Sequence, residues 1–180
     1  MKTFFLLISI VICLSLVGCK FNPMQGPVEE PMVVKSHPHE RILTKWVYDN
    51  SSRISITTAK EIVSEVTKTK YPLLMLSIIE VESVKFTPGA LSQKVGAIGW
   101  CQVNYAAHGP DLIKAGIIKE KRDLWDVAPN IRAGAFIFDQ KLKRSNGDVN
   151  AALEGYLGGV DGAYTKRIMS TLSNLYILTQ

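Results

Sequence analysis

The chain has 180 residues, 47% hydrophobic and 21% charged, with a formal net charge of +5; this length fits one domain with a real core rather than a multidomain assembly. Its Lys and Arg residues are scattered instead of forming a stripe, so the charge serves solubility, suits an anionic polymer such as a cell wall, and is no nucleic-acid footprint. The three cysteines, Cys13, Cys19 and Cys101, are too few for a disulfide framework.

Lys2 precedes an apolar run from Phe4 to Leu16 that closes on Leu16-Val17-Gly18-Cys19. A charged start, an apolar segment and small residues before a cut have the layout of a secretory signal. The run falls short of the about 20 apolar residues that a spanning helix needs. Leu-Val-Gly-Cys also resembles the lipobox of bacterial lipoproteins, in which the Cys is acylated and becomes the first residue of the mature chain. That resemblance implies a signal peptide over residues 1–18 and lipidation at Cys19. Because Lys20 and not Asp follows, it also implies an outer-membrane lipoprotein facing the periplasm. A plain cleaved signal with Cys19 incidental is the alternative.

Residues 19–40 hold Pro23, Gly26, Pro27, Pro31 and Pro38 without apolar periodicity, the composition of a flexible tether. Extended at about 3 Å per residue, it reaches several tens of Å. His37 and His39 lack a Cys or acidic cluster at ligand spacing and read as solvated residues, so no metal is expected there.

From residue 41 to residue 180 the chain reads as one helical domain with short breaks. Thr58-Ala59-Lys60-Glu61 has the form of a capping box, and Ile62, Val63 and Val66 give the inner face of the helix behind it. Pro72 is placed to start a helix from Leu73 to about Ser83 that is apolar nearly all round, hence central. Pro88, Gly89, Gly96 and Gly99 break the helical period and predict a small β or loop element around residues 86–101. Asn130 is positioned to cap a helix with inner face Ile131, Ala135, Phe138 and Leu142. Ser145-Asn146-Gly147 ends that helix, Asp148 caps another, and Gly158-Gly159 precedes a last one through Ile168, Leu172 and Leu175. The fold class is mostly α, with a minor β element.

Glu80 and Glu82 lie together near the end of the apolar helix, and residues two apart point about 200° from each other. Only one can face a cleft. Glu82 adjoins the glycine-rich segment in an apolar setting, which raises a carboxyl pKa and keeps the group protonated, as a leaving glycosidic oxygen requires. Retaining and inverting glycosidases need a second carboxylate about 5 Å or 6.5–9.5 Å away. None stands beside Gly96 to Gln102; Asp111, Glu120 and Asp126 are distant in sequence and read as loop or cap residues.

The run Glu82-Ser83, Phe86, Pro88, Ala90, Ser92, then Gly96-Ala97-Ile98-Gly99-Trp100-Cys101-Gln102, resembles the core motif of the soluble-lytic-transglycosylase family, which has a lysozyme-like domain and cuts peptidoglycan. Asp126-Val127-Ala128-Pro129-Asn130-Ile131-Arg132-Ala133-Gly134 resembles the family's Asp-Pro-x-x-Asn-Ile-x-x-Gly, with Val127 for Pro. Ala152-Leu153-Glu154-Gly155-Tyr156-Leu157-Gly158-Gly159 resembles its Ala-Leu-x-x-Tyr-Asn-x-Gly, with Leu157 for Asn. Trp100-Cys101 replaces the usual Leu-Met. Trp100 reads as a sugar platform or a core residue, Cys101 as a small buried hydrophobe rather than a nucleophile.

The resemblance implies an α+β lysozyme-like fold and a lytic transglycosylase, a carbon–oxygen lyase that needs no cofactor. It would cut the β-1,4 bond between N-acetylmuramic acid and N-acetylglucosamine in glycan strands and leave 1,6-anhydro ends. It assigns acid and base to Glu82, orientation of Glu82 to Ser83, the sugar N-acetyl group to Gln102, and a place near the catalytic carboxyl to the Tyr156 hydroxyl. A hydrolytic muramidase on the same fold and a catalytically silent wall-binding lipoprotein, for which Leu157 speaks, are the alternatives. Partners would be peptidoglycan and, through the lipid, the membrane, with a secretion or cell-wall machinery left open; no nucleic acid is expected.

Overall fold

The computed structural model describes residues 39–51, 53–88, 91–92 and 96–180. The signal segment, Cys19, His37 and the tether up to residue 38 lie outside the described residues. Within them the chain forms seven α-helices: α1 Glu40–Asp49, α2 Ile56–Thr67, α3 Pro72–Glu82, α4 Tyr105–Lys114, α5 Val127–Arg144, α6 Val149–Leu157 and α7 Gly162–Leu178. A three-stranded antiparallel sheet of two-residue strands, β1 Leu91–Ser92, β2 Ala97–Ile98 and β3 Val103–Asn104, lies between α3 and α4. The fold is mostly α, as the periodicity predicts. The β element runs to residue 104, because β3 pairs Val103 with Ile98 and Asn104 with Ala97.

α3 has no polar face along most of its length. Leu74, Met75, Leu76, Ser77, Ile78 and Ile79 are all buried, and the Ser77 hydroxyl is satisfied by the Leu73 carbonyl at 2.8 Å. Such a helix is stable only when surrounded, and α7, α2 and α5 pack around it. Pro72 at its first turn costs no hydrogen bond, since that N–H has no partner in a helix.

Two helix starts differ from the sequence reading. α2 is capped by Ser55, whose hydroxyl accepts from the Thr58 N–H at 3.1 Å, so the helix begins ahead of the Thr58 capping box. α5 begins at Val127 after Asp126, and Asn130 lies inside it, fully buried. α4, across His108-Gly109-Pro110, has no forecast because Gly and Pro read as breakers. It forms because Asn104 caps it, accepting from the Ala107 N–H at 3.2 Å.

α3 ends without a glycine. Val84, Lys85 and Phe86 take φ of 51°, 58° and 56°, a left-handed turn that costs roughly 1–2 kcal/mol per residue. Phe86 holds it: its side chain is fully buried and meets the Trp46 ring edge-on at 5.6 Å. The Lys85 N–H also closes onto the Glu80 carbonyl at 2.8 Å.

Candidate active site

Glu82 is the last residue of α3, and the end of that buried helix carries its carboxyl into the protein. Tyr164, in the first turn of α7, reaches it: the phenol donates to Glu82 Oε1 at 2.5 Å. Asp161 fixes that turn by accepting from the Ala163 and Tyr164 N–H groups at 2.9 and 3.2 Å. Burial raises the Glu82 pKa above its ordinary value, against the lowering effects of the Tyr164 hydrogen bond and the Arg167 charge. Tyr164 is itself pushed upward, by burial first and then by Glu82. It remains a proton donor to the carboxyl throughout the working pH range.

Glu80 goes the other way. Its Oε2 accepts from the Thr171 hydroxyl at 3.2 Å, further along α7, as two residues of helix rotation require.

The glycine-rich loop is held from α5. Asn130 accepts from the Cys101 N–H at 2.7 Å and donates to the carbonyls of Ile98 at 2.9 Å and Leu124 at 2.8 Å. One buried amide thus ties the loop to the helix and to the turn before it. Gly99, at φ +75°, leaves the room: a Cβ there would stand 2.3 Å from Asn130 Nδ2 and 2.6 Å from the Leu124 carbonyl. Gly134, one turn beyond Asn130, lets Cys101 and Tyr156 close in, since a Cβ would lie 2.5 Å from Cys101 Sγ and 3.1 Å from the Tyr156 hydroxyl. The Asn and Gly of the Asp126–Gly134 segment therefore shape the loop, and Asn130 caps nothing.

These elements enclose a cleft of about 310 Å³ whose lining includes Glu82, Gln102, Asn104, His108, Tyr156 and Leu157. Glu82 is the only carboxylate lining it among the described residues; Asp111, Glu120 and Asp126 do not reach it. Tyr156 donates to the Cys101 carbonyl at 2.8 Å, so it lines the cleft with Glu82 while Tyr164 makes the hydrogen bond to the carboxyl. Gln102, at φ 47°, donates to the Gly99 carbonyl at 2.9 Å. Ser83 is buried and its hydroxyl donates to the Ile79 carbonyl at 2.5 Å; it acts on the last turn of α3 rather than on the Glu82 carboxyl. Trp100, 4% exposed, belongs to the core, which removes it as a sugar platform. Cys101 is buried and free, and burial pushes its thiol far up, the state of an inert hydrophobe. A larger groove, about 660 Å³, lies between α1 and α2 and shares no lining residue with this cleft.

Residues 61–170 match the family model of the transglycosylase SLT domain. The chain belongs to that family. No curated protein matches it. The SLT domain is lysozyme-like and acts on peptidoglycan as lytic transglycosylases do, and Glu82, Gln102 and Tyr156 of this domain line one cleft. Tyr164 and His108 escape a sequence reading: a Tyr in a helix and a His beside Gly-Pro carry no periodic or motif signal, and only packing brings Tyr164 to the Glu82 carboxyl and His108 to the cleft.

Proposed function

We propose that this SLT domain is a lytic transglycosylase that cleaves the N-acetylmuramic acid–N-acetylglucosamine β-1,4 bond and leaves a 1,6-anhydro-N-acetylmuramic end. The observation that carries the reading is a single partly buried carboxyl of raised proton affinity in a cleft with no second carboxylate among its described lining residues. Glu82 gives its proton to the glycosidic oxygen as the C1–O bond breaks, which releases N-acetylglucosamine at the head of the departing strand. The resulting carboxylate then takes the proton of the muramic 6-hydroxyl while O6 bonds to C1, so no water is consumed and Glu82 ends protonated again. The 6-hydroxyl is tethered beside C1 at a high effective concentration, and water has no second base to activate it.

Gln102 is suited to hold the sugar N-acetyl group from its place in the lining, and Tyr156 lies beside it on the Cys101 carbonyl. Ser83 serves as a positioning residue through the α3 backbone. The experiment is mass spectrometry of muropeptides released from purified sacculi. Anhydro ends, one water lighter than reducing ends, are expected. Dominant reducing ends would mean a hydrolytic muramidase, and no release at all a silent wall-binding protein.

The same proposal takes residues 1–18 as signal peptide, 19–40 as tether and 41–180 as the enzyme. Cys19 is the lipid anchor to the periplasmic face of the outer membrane. The support is the Leu16-Val17-Gly18-Cys19 run. Labelled palmitate should enter the wild-type chain and be absent from Cys19→Ala; persistent label in that variant overturns the anchor.

A further inference from the structure

His108 lines the cleft with Glu82, yet the transglycosylase reaction gives it no task. The other polar side chains of the lining spend groups inside the protein. The Glu82 carboxyl accepts from Tyr164, the Tyr156 hydroxyl donates to the Cys101 carbonyl, Gln102 donates to the Gly99 carbonyl, and Asn104 Oδ1 caps α4 on the Ala107 N–H. His108, half-buried, makes no hydrogen bond among the described residues, and neither does the amide nitrogen of Asn104. These two residues stand four apart on α4 and its cap, a spacing that stacks side chains on one face about one turn from each other, and both line the cleft.

Burial first, then the Lys141 charge and that of Arg144, favour the neutral imidazole, against Asp111. A neutral ring has one nitrogen that donates and one that accepts, and the Asn104 amide nitrogen adds donors. Val103, Ile137 and Leu157 give the same cleft apolar surface, and Leu157 is 42% exposed. An uncharged donor and acceptor beside an apolar wall do not match an anion, and an apolar ligand would strand the imidazole. They match a sugar ring, whose hydroxyls both give and take hydrogen bonds and whose C–H face is apolar. Two sugars alternate along the strand. In the muramic ring O4 lies in the glycosidic bond, O3 carries the lactyl ether, and the 6-hydroxyl is consumed in the attack on C1, so no hydroxyl hydrogen is left for His108. The N-acetylglucosamine ring keeps its 3- and 6-hydroxyls.

We infer that His108 and Asn104 form a subsite for an N-acetylglucosamine ring of the strand, in which His108 accepts from one free hydroxyl and the Asn104 amide donates to another. The inference rests on the transglycosylase reading and adds to it the register of the strand. Because the sugars alternate, a glucosamine ring held at α4 leaves the adjoining muramic ring to Glu82.

The test uses chitohexaose, an oligomer of N-acetylglucosamine alone, and the full chain carrying Glu82→Gln so that nothing is cut. In NMR spectra the ring signals of His108, identified by their loss in His108→Phe, should shift as chitohexaose is added. By calorimetry the Kd should rise about threefold to tenfold in His108→Phe, the scale of one net hydrogen bond, and stay within about twofold in His108→Gln, whose amide also gives and takes. Asn104→Asp keeps the oxygen that caps α4 and loses the donors, so it should weaken binding by a similar factor with no fall in melting temperature. Chitohexaose that does not bind, a His108 signal that stays in place at saturation, or an unchanged Kd in His108→Phe overturns the subsite. The NMR signal is read in a chain that keeps His108, so a poorly folding variant does not blur the result. The transglycosylase reading fails separately, through the absence of anhydro products from sacculi, whatever these affinities.

Discussion

The Tyr164 phenol donates to Glu82 Oε1 at 2.5 Å, joining the first turn of α7 to the last residue of α3 across 82 positions of sequence. The bond opposes burial. Desolvation favours the neutral carboxyl, the hydrogen bond favours the carboxylate, and the proposed reaction uses Glu82 in each form in turn.

Glu82→Gln should lower turnover of purified sacculi at least about 10²-fold, the scale of general acid catalysis. Glu80→Gln, which alters a contact to Thr171 instead, should stay close to wild type. Equal losses in the two variants would put the acid on the wrong glutamate.

Stability should depend on pH through the same group. The Glu82 pKa in the folded chain lies above its ordinary 4.5, so the stability it contributes is complete below about pH 4.5 and is lost as pH rises through the folded value. Glu82→Gln escapes that loss. Its melting temperature relative to wild type should climb from pH 4 to pH 8, and thermal denaturation across this range would expose a flat or falling difference.

Tyr164→Phe removes a donor that lowers the Glu82 pKa. The alkaline limb of kcat/KM should therefore move to higher pH, while the maximum drops about tenfold, the worth of one charge-assisted hydrogen bond. A limb that moves to lower pH would contradict the assignment of Tyr164.

Asn130→Ala leaves the Cys101 N–H and the Ile98 and Leu124 carbonyls buried without their partner. The cost should be about 3 kcal/mol, on the scale of unsatisfied buried groups, visible as a lower urea midpoint. Asn130→Asp should do no better, since a carboxylate cannot donate to two carbonyls. Full stability in either variant would show that the loop is held elsewhere.

Val84 is 72% exposed at φ 51°, where a β-branched side chain is disfavoured and glycine is not. Val84→Gly should stabilise the chain by up to about 1 kcal/mol, a rise of a few degrees in a thermal melt. A fall would mean that the Val84 side chain contributes more than its backbone costs.

The sequence by itself determined whatever depends on neighbours along the chain. A helix from Pro72 with no polar face has to be central, positions two apart have to diverge, and so helix geometry alone separates Glu82 from Glu80. Asp148 and Gly158 mark helix ends by local hydrogen bonding and by a left-handed φ of 84°, and the loop glycines announce a break. Only the tertiary structure decided which partners meet across the chain. Tyr164 donates to the Glu82 carboxyl, whose cleft Tyr156 also lines, because the register of α7 against α3 is set by packing and not by spacing. Asn130 has the composition of a cap and becomes a loop fastener, since its burial against residues 98–101 offers its amide three backbone partners that a helix start does not. α4 forms across Gly109 and Pro110 because Asn104, at the end of β3, caps it and core contacts at Leu112 outweigh a local preference to break. Local rules fix which way neighbouring side chains diverge and where several helices end; the side chains that share one cleft are chosen by long-range packing, which the order of residues does not display.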